Sequence, residues 1–554
     1  MVEFLRRAGN QPVNIHLHSP AIAHVSAPGA RERRIALVKE NLFRARILHS
    51  GMHGELKMLD GQSCPALEVL QLFSHTDMTV DAPNLREVTL NGDGRLTLLA
   101  PNLSRARCLS PATFPDHQAH SLRVLELKWP AAICAQLPFK LTKLASLETL
   151  VIEVTGRHVS LENIDTEHTV YDHDHDILNL QSRGVCLSLP NLSELRISGK
   201  GAVHRIMCAL LAHLVATSSS TGSLRRVEVD CDNDPNLINS SFALDALKAF
   251  AHVIQADALY LHFEDSQGGG GVSVVISTSR LEHRHDSHSC LYFTLKCFIP
   301  CNWQQGPHID ALVKVRLMSL LPLGHITNLF IERLPELEVT LVAQIAMNAA
   351  LSQLTSVHTL HVSENGGFLT LGTFSIASDR SYALVGPPQE QHLPLLATLF
   401  VSHIHYVSGW HWWKRLALAL TARLRAGVPF TTLHISCRGG VDLLPSQIAT
   451  LSVLETFHEQ PGVDLQEPDI FITNIIRQAS KTQESKTDVG STSAKAKDRI
   501  ESAAKSLFSG VVEKIEVEEA SPWLKPVWPA KYPLKEETHR TCSLVAPKAS
   551  VTFD

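Results

Sequence analysis

Residues 65–90 read PALEVLQLFSHTDMTVDAPNLREVTL, and this stretch contains one short phrase twice, first from Leu67 and again from Leu85. The phrase is L-x-x-L-x-L, in which Ile or Val can replace Leu. Side chains of a β-strand alternate between two faces, so the last two aliphatic positions of the phrase point to the same side. One copy cannot bury that side alone, and neighbouring copies must therefore stack into a continuous core.

The phrase recurs downstream as far as Ile435. The clear copies are Leu67/Leu70/Leu72, Leu85/Val88/Leu90, Leu122/Leu125/Leu127, Leu147/Leu150/Ile152, Leu192/Leu195/Ile197, Leu224/Val227/Val229, Ile326/Leu329/Ile331, Val357/Leu360/Val362, Leu396/Leu399/Val401 and Phe430/Leu433/Ile435. Weaker copies are Leu103/Ala106/Cys108 and Ala256/Leu259/Leu261. This repetition predicts an α/β fold for residues 1–475. The predicted architecture is a curved, leucine-rich-repeat-like solenoid with a parallel sheet on one face and helices or loops on the other.

The first copies follow one another closely, with starts at 67, 85, 103 and 122. This spacing is too short for a full helix between them, so loops or 3₁₀ turns are predicted for the returning segments. Pro65, Pro83 and Pro101 each stand just ahead of a copy, where proline is tolerated at a strand start and disfavours helix in the residue before it.

After Leu147 the copies lie roughly twice as far apart, and helical periodicity precedes several of them, as in 206–214, 247–254, 342–349 and 413–424. Alternation of a 3.6-residue period with a short β-run is typical of parallel strand–helix units. Two intervals, 153–191 and 262–325, are too long for this pattern and are predicted to be insertions or degenerate rungs.

The two ends of the chain differ in composition. Near the N-terminus, Val13, Ile15 and Leu17 alternate and predict a first strand, and residues 32–47 are predicted to be helical. From about residue 476 Lys, Ser, Thr, Glu and Ala dominate and the phrase stops. Residues 476–554 are therefore predicted to be a low-complexity, largely disordered tail that contains one amphipathic helix at 497–519.

Composition narrows the classes of function. A charged fraction of 19 % and a net charge of -5 describe a core-forming protein without the concentrated basic face of nucleic-acid binders. No secretory signal and no apolar run long enough to span a bilayer is found, so no membrane association is predicted. Eleven irregularly spaced cysteines indicate reduced thiols. The predicted location is the cytoplasm, the nucleus or both.

Two segments contain residue types that bind divalent metals, the His/Asp-rich run 165–176 and the Cys/His-rich segment 283–308. Structural zinc usually shows paired C-x₂₋₄-C knuckles, whereas Cys297 and Cys301 are the sole close pair here. A solvated loop and a strand with a His-rich hairpin are the favoured interpretations. A metal-binding protein or metal-dependent enzyme using these segments remains the alternative function.

Other motifs do not point to chemistry. Residues 268–271 are glycines, but they lead into a strand pattern and not into the helix N-terminus that a phosphate loop needs. Walker A, G-x-G-x-x-G and G-x-S-x-G motifs do not occur. Trp413 is predicted to start the buried face of a helix, and the histidines are scattered. The sequence therefore predicts no catalytic, cofactor-binding or metal-binding residue, no cofactor, and a protein that is not an enzyme.

The phrases depart from the classical leucine-rich repeat, whose asparagine at the third place after the phrase is matched here only by Asn365. The chain instead resembles the F-box-like proteins with irregular leucine-rich regions that are numerous in mushroom-forming (basidiomycete) fungi. The resemblance spans about residues 4–440. It is carried by FLRRAGNQPVNIHL (4–17), CPALEVLQLF (64–73), APNLREVTLNG (82–92) and WWKRLALALTARLRAGVPFTTLHISC (412–437).

The resemblance implies a substrate-recognition subunit of a cullin-type ubiquitin ligase, which binds its target protein and is linked to the ligase by a small adaptor. A family member carries an F-box ahead of the segment that resembles 4–17. Only Met1, Val2 and Glu3 precede Phe4 here, so we expect that the F-box itself is not present in this sequence.

The predicted function is therefore that of a non-catalytic protein-interaction module. The strand face of a solenoid is an extended binding surface. The residues expected on it are Glu68, Gln71, Arg86, Thr89, Arg123, Glu126, Arg196, Arg226 and Glu228.

Overall fold

The structure is a computed structural model, in which parallel sheets dominate the described part of the chain and helices are few. The described residues are 8–17, 29–50, 59–73, 77–92, 96–110, 121–131, 136–155, 189–199, 203, 206, 210, 224–231, 256–265, 271–279, 292–300, 323–332, 353–363, 393–404, 413, 416, 417, 420, 421, 423, 424, 427–438, 451, 454, 493–508, 510–520 and 550–553. The chain divides into two compact units: the first comprises 1–253 with 532–554, and the second comprises 254–531.

Strands outnumber helices among the described elements of both units. In chain order, the elements up to residue 231 are β1 (Val13–Leu17), α1 (Ala30–Asn41), β2 (Ala45–Ser50), β3 (Gln62–Ser63), β4 (Val69–Phe73), β5 (Met78–Asp81), β6 (Glu87–Asn91), β7 (Leu96–Leu99), β8 (Arg105–Cys108), β9 (Val124–Pro130), α2 (Leu137–Leu141), β10 (Thr149–Thr155), β11 (Glu194–Gly199) and β12 (Arg226–Cys231). The later elements are β13 (Ala258–Asp265), β14 (Gly271–Ser279), β15 (Tyr292–Pro300), β16 (Asn328–Glu332), β17 (Thr359–Ser363), β18 (Thr398–Ile404), β19 (Thr432–Arg438), α3 (Ser493–Phe508), β20 (Lys514–Ala520) and β21 (Ser550–Phe553).

The main sheet of the first unit is parallel at every described pairing. Its strands follow one another in the order β21-β1-β2-β4-β6-β8-β9-β10-β11-β12. A smaller parallel sheet, β3-β5-β7, is formed by the segments that return from one main strand to the next. These returns were predicted as loops or 3₁₀ turns. They form strands because they also alternate, with Met78, Val80 and Leu98 buried.

The second unit also contains a parallel sheet, in the order β13-β16-β17-β18-β19-β20. On the other side of β13, β14 and β15 continue it as antiparallel strands. The long interval 262–325 therefore holds an antiparallel addition to the stack. The strand pattern that follows the glycine run 268–271 is confirmed as β14, whereas the turn ahead of it falls outside the described residues.

All twelve copies of the phrase lie where the sequence placed them. In each copy the second and third aliphatic residues belong to a strand, and none of the thirty-six core positions is more than 7 % exposed. Below, positions 1, 4 and 6 denote these core residues, and a rung denotes one copy with the turn before it. Stacked rungs bury the aliphatic side chains against one another, which supplies the hydrophobic core of each unit.

A tight turn precedes most phrases and explains the prolines. The amide of position 1 donates to the carbonyl of the third residue before it, as from Leu85 to Ala82 at 3.0 Å and from Leu103 to Ala100 at 3.0 Å. Pro83 and Pro101 occupy the second place of these turns, where the fixed φ of proline is favoured. The prolines therefore close the turn that points position 1 into the core.

Backbone hydrogen bonds at position 2 tie each rung to the one before it. The carbonyl of Arg86 accepts from the amides of Ser104 and Arg105, at 3.0 and 2.9 Å. The same double acceptance recurs at Ser104, Arg123, Glu148 and Ser193 in the first unit, and at Asp257, Thr327, His358 and Ala397 in the second. Register is thereby fixed at the N-terminal edge of the strands.

A buried arginine, Arg44, connects the end of α1 to the segment before β1. The guanidinium of Arg44 donates from Nε to Asn41 Oδ1 at 2.9 Å and from Nη1 to the carbonyl of Gly9. Asn41 in turn donates to Leu37 at 2.7 Å and ends α1. The helix predicted over 32–47 is therefore shorter than expected, because Ala45–Ser50 forms β2 beside β1.

The C-terminal region also differs from the prediction. α3 covers Ser493–Phe508, and residues 514–519, predicted as the end of this helix, belong to β20. This strand forms because Ile515 and Val517 alternate with glutamates, and it pairs in parallel with β19. Residues 493–508 and 510–520 therefore form a further helix–strand pair within the second unit.

The helix ahead of β19 has the predicted buried face. Trp413, Leu416 and Leu420 are at most 1 % exposed, whereas Leu424, which has the same spacing, is 39 % exposed. Just after this helix, Gly427 has φ +76, a left-handed conformation that ends helices and favours glycine. The predicted helices around 247–254 and 342–349 lie outside the described residues.

Gly199 marks a close approach between two strands of the first unit. It pairs in register with Val154, and a Cβ at residue 199 would stand 2.3 Å from the Val154 carbonyl oxygen. We expect Gly199→Ala to lower the free energy of unfolding by about 1–3 kcal/mol, because β10 and β11 must separate to admit the methyl group. Thermal unfolding with Ser198→Ala as the matched control checks this, and equal Tm values for the two variants would contradict the close approach.

Candidate binding surface

The side of each parallel sheet opposite the aliphatic core is formed by positions 3 and 5 of the phrases. We call this side the open face of the unit. In the first unit, position 5 brings His16, His49, Gln71, Thr89 and Arg107 into one row across β1, β2, β4, β6 and β8. Most of these side chains are partly exposed. The open face is therefore a polar surface built from residues far apart in the sequence.

Six of the nine residues predicted for this surface lie on the open face of the first unit. They are Gln71, Thr89, Glu126, Arg196, Arg226 and Glu228. The other three, Glu68, Arg86 and Arg123, occupy position 2 of their copies and lie at the N-terminal edge of the strands. These three residues are not on the open face because position 2 lies just before the strand begins, outside its period-two alternation.

Four charged residues of β11 and β12 neutralise one another on the open face. Arg196 Nε lies 2.6 Å from Glu194 Oε1 and 3.4 Å from Glu228 Oε2. Arg226 lies 2.6 Å from Glu228 and 3.3 Å from Glu194. Their side chains are 18–25 % exposed, so solvent screens these pairs less than it screens fully exposed ones. This end of the open face therefore carries little net charge toward a partner.

Glu126 has a similar setting on β9. Its carboxylate lies 3.3 Å from Arg105 and 3.4 Å from Arg107, both on the adjacent β8. One carboxylate thus faces two guanidinium groups.

A groove of about 790 Å³ runs along the N-terminal edge of the strands in the first unit. It contains two of the three predicted residues that lie at this edge. Its lining residues are Asn84, Arg86, Pro101, Asn102, Ser104, Ser121, Arg123, Ser146, Glu148 and Asn191. The sequence patterns pointed to the strand face and did not predict a groove beside it.

A row of asparagines supports the groove, and sequence analysis missed it. Asn84 donates from its side chain to the carbonyl of Pro65 at 2.7 Å, and Asn102 donates to that of Pro83 at 2.8 Å. Asn191 repeats the contact to Ala145 at 3.1 Å. Each asparagine precedes position 1, whereas the asparagine of classical leucine-rich repeats follows position 6. The tripeptide Pro-Asn-Leu, which occurs at 83–85, 101–103 and 190–192, is the signal that could have revealed it.

The open face of the second unit carries a stack of rings. Phe330 and His361 lie 4.1 Å apart between ring centroids, His361 and Phe400 lie 4.3 Å apart, and Phe400 and His434 lie 4.1 Å apart, with interplanar angles of 2–11°. His434 Nδ1 then contacts Glu516 Oε2 at 2.7 Å. Every member occupies position 5 of its copy or the equivalent place on β20. Adjacent rungs therefore place the rings face to face at the spacing of neighbouring strands.

The ring stack brings together two histidines that are scattered in the sequence. His361 and His434 belong to one stack, and Tyr260 on β13 occupies the same register position next to Phe330. Stacked ring pairs contribute about 0.5–1.5 kcal/mol each, so the stack stabilises the order of the strands. The signal in the sequence is an aromatic side chain or a histidine at position 5 of five copies that lie far apart in the chain.

Glu516 gives the second unit a pH-dependent element. A hydrogen bond from Lys514, together with the nearby His434, lowers the pKa of Glu516 below its ordinary value of 4.5. A carboxyl with a lowered folded-state pKa adds stability above its unfolded pKa and loses it as pH falls through the folded pKa. We therefore expect Glu516→Gln to lower Tm at pH 7 and the difference from wild type to narrow toward pH 3.

Glu518→Gln is the matched control for this comparison, since Glu518 is an exposed glutamate on the same strand. Differential scanning calorimetry of the three proteins from pH 3 to pH 7 measures the effect. A difference in Tm between Glu516→Gln and wild type that stays constant over this range would contradict the assignment.

Only some of the residues that could bind a metal or react chemically lie in the part of the chain that the structure describes. The run 165–176 falls outside the described residues, as do all Cys and His of 283–308 except Cys297, which lies in strand β15 as predicted. Within the described chain, no group of three or more His, Cys, Asp or Glu side chains is placed to hold a metal ion. Cys64, Cys108 and Cys231 are buried. Burial, with a smaller effect of Asp81, raises the pKa of Cys64 to about 11.

Comparisons with known proteins add no family. No protein-family model matches this chain, and no curated protein gives a significant match. Among the helices of the described segments, none has the length and apolar character needed to cross a membrane.

Proposed function

We propose that the chain is a non-catalytic protein-interaction module whose two units are irregular, leucine-rich-repeat-like solenoids. The observation that carries the proposal is the in-register row of polar open-face side chains along the parallel strands of the first unit, with the groove beside it. Such a surface presents fixed side chains over many rungs, which suits recognition of an extended protein segment.

By its resemblance to fungal F-box-like proteins, the module serves as the substrate-recognition subunit of a cullin–F-box ubiquitin ligase. Fold analogy supports this part of the proposal, and the sequence resemblance across 4–440 adds the order of the motifs. Adaptor binding in that family belongs to an F-box that precedes the segment corresponding to 4–17. The proposed location is the cytoplasm, the nucleus or both.

Site-specific photo-cross-linking tests the recognition surface. A photoreactive amino acid placed at Gln71 or Thr89 on the open face should cross-link the same protein from a cell lysate. The matched control position is Ala36, an exposed residue of α1. Once identified by mass spectrometry, that protein is purified, and Gln71→Arg with Thr89→Arg should weaken its binding. Cross-linking of the same set of proteins from all three positions would contradict the assignment.

Co-purification tests the ligase role. If the role is correct, a tagged chain together with its partner should associate with an F-box-binding adaptor and a cullin, and loss of the chain should lower ubiquitination of the partner. Absence of the adaptor from a complex that still contains the partner would remove the ligase role and leave the interaction module.

A further inference from the structure

The groove at the N-terminal edge of the first unit carries an uneven distribution of charge. The side chains at position 2 follow one another along it, and two ion pairs bracket Arg86. Arg46 Nε lies 2.9 Å from Glu68, and Arg123 Nη1 lies 3.5 Å from Glu148. No carboxylate of the described residues forms an ion pair with Arg86. The groove wall therefore has one guanidinium group available for an anionic partner.

Arg123 can also bind an incoming carboxylate. Its contact with Glu148 is long, and the two side chains are 65 % and 47 % exposed, so the pair is weakly held in water. On binding a carboxylate in the groove, Arg123 would exchange its exposed contact with Glu148 for a more enclosed contact with the incoming carboxylate. Arg86 and Arg123 are therefore the two cationic anchors of the groove.

The floor between these anchors presents hydrogen-bond acceptors. Asn84 and Asn102 use their side-chain N–H groups on the preceding rung, and Ser104 and Ser121 donate their hydroxyl protons to the carbonyls of Arg86 and Leu103, at 3.1 and 2.9 Å. The amide and hydroxyl oxygens of these side chains keep lone pairs. A peptide backbone supplies matching N–H donors, which many small anions lack.

The spacing of the anchors indicates the conformation of the bound segment. Arg86 and Arg123 are two rungs apart, and strands of a sheet are about 4.8 Å apart, so their backbones are separated by about 9.6 Å. A polyproline II helix rises about 3.1 Å per residue with three residues per turn, so residues i and i+3 lie on one side about 9.3 Å apart. The two distances match within the reach of the side chains.

We propose that the groove binds an extended acidic segment of the protein partner, with carboxylates at i and i+3 on Arg86 and Arg123. This inference rests on the proposed function and specifies the chemistry of the partner. The guanidinium groups bind the carboxylates through charge-assisted hydrogen bonds, and the asparagine and serine oxygens accept from the peptide backbone. Electrostatic attraction also makes the affinity fall as ionic strength rises.

Fluorescence anisotropy with labelled synthetic peptides tests the proposal. The test peptide carries Asp-Ala-Ala-Asp, the spacing control carries Asp-Ala-Asp-Ala, and the charge control carries Asn-Ala-Ala-Asn, so that every residue keeps its backbone N–H. The full chain should bind the test peptide about tenfold more tightly than the spacing control, a factor in line with one charge-assisted hydrogen bond, and by a larger factor than the charge control, which lacks both carboxylates. Raising the salt concentration from 50 to 500 mM should weaken this binding.

Variants of the chain locate the binding. R86E and R123E should each weaken binding of the test peptide by about tenfold or more. R33E, at an exposed arginine of α1, makes the same charge change elsewhere and should leave binding unaltered. Arg86→Gln provides a milder variant should R86E fail to fold. Equal weakening by R33E and R86E, or equal affinity for the Asp and Asn peptides, would overturn the groove assignment, as would no binding of any peptide at 1 mM.

These outcomes are separate from those of the proposed function. If the partner cross-links to the open face through Gln71 and Thr89, and R86E and R123E leave its affinity unchanged, the interaction module stands and the acidic-segment inference fails. If neither the partner nor the peptide binds, both fail.

Discussion

Replacing Phe508 by alanine should lower the free energy of unfolding of the second unit by about 3–5 kcal/mol. Phe508 is fully buried, and its ring stacks on that of Trp413 with 5.9 Å between centroids. α3 also buries Ile500 and Ala504, so the segment after the Lys/Ser/Thr-rich stretch is part of the core. Truncating Phe508 removes apolar burial and leaves a cavity beside Trp413.

Hydrogen-exchange mass spectrometry localises this effect. In Phe508→Ala, peptides covering 413–438 and 493–520 should exchange faster than in wild type, because α3, β20 and β19 lose their shared packing. Ser502→Ala, at an exposed position of α3, is the matched control. Unchanged exchange in residues 413–438 would show that α3 does not pack on this part of the unit.

Replacing Arg423 by methionine should destabilise the second unit by about 3 kcal/mol. The guanidinium of Arg423 is 5 % exposed and donates from Nη2 to the carbonyls of Leu393 and Leu396, at 3.2 and 3.1 Å. Leu393 has φ +54, which is strained for a residue other than glycine. Two lost hydrogen bonds to a charged donor cost more than methionine regains by avoiding the burial of charge.

Burying the charge of Arg423 costs free energy, and the contacts of its guanidinium offset this cost. Burial lowers the pKa of Arg423 to about 10, and its Cζ lies 4.9 Å from the centre of the Phe430 ring. These contacts join the helix that contains Arg423 to the rung of Leu396 and to the rung of Phe430. Chemical denaturation of Arg423→Met and of Leu424→Gln, a change at the adjacent exposed position, measures the effect. Equal midpoints for these two variants would contradict a structural role for the arginine.

The strands that contain the phrase could be predicted from the sequence. Each copy has three aliphatic residues at fixed spacing, and this spacing determines both the period of the strand and the face that it buries. Leu70 and Leu72 illustrate this, since both are buried and both lie in β4. Return segments were harder to predict. Met78 and Val80 alternate over only the short span of β5, too little to distinguish a strand from a turn without the neighbouring rungs. The same limitation led to a helix being predicted where β20 forms.

Side-chain rows across the sheet could not be predicted from local patterns. His361 stacks between Phe330 and Phe400, yet these residues are distant from it in the chain. Asn84 could not be predicted for another reason, since the asparagine of the classical leucine-rich repeat follows the phrase, whereas Asn84 precedes it. The groove depends on both the asparagine row and the side chains at position 2. The groove can therefore be recognised only when the register between the rungs is known.

Distances between spin labels on the open face of the first unit test the central claim most directly. Gln71, Val151 and Glu228 occupy position 5 of β4, β10 and β12, so the last two lie four and six strands along the sheet from Gln71. Double electron–electron resonance should give about 19 Å between labels at Gln71 and Val151, and about 29 Å between labels at Gln71 and Glu228, at about 4.8 Å per strand. Distances that do not increase with the number of intervening strands, or two broad distributions, would contradict the side-by-side stack on which the proposed binding surface depends.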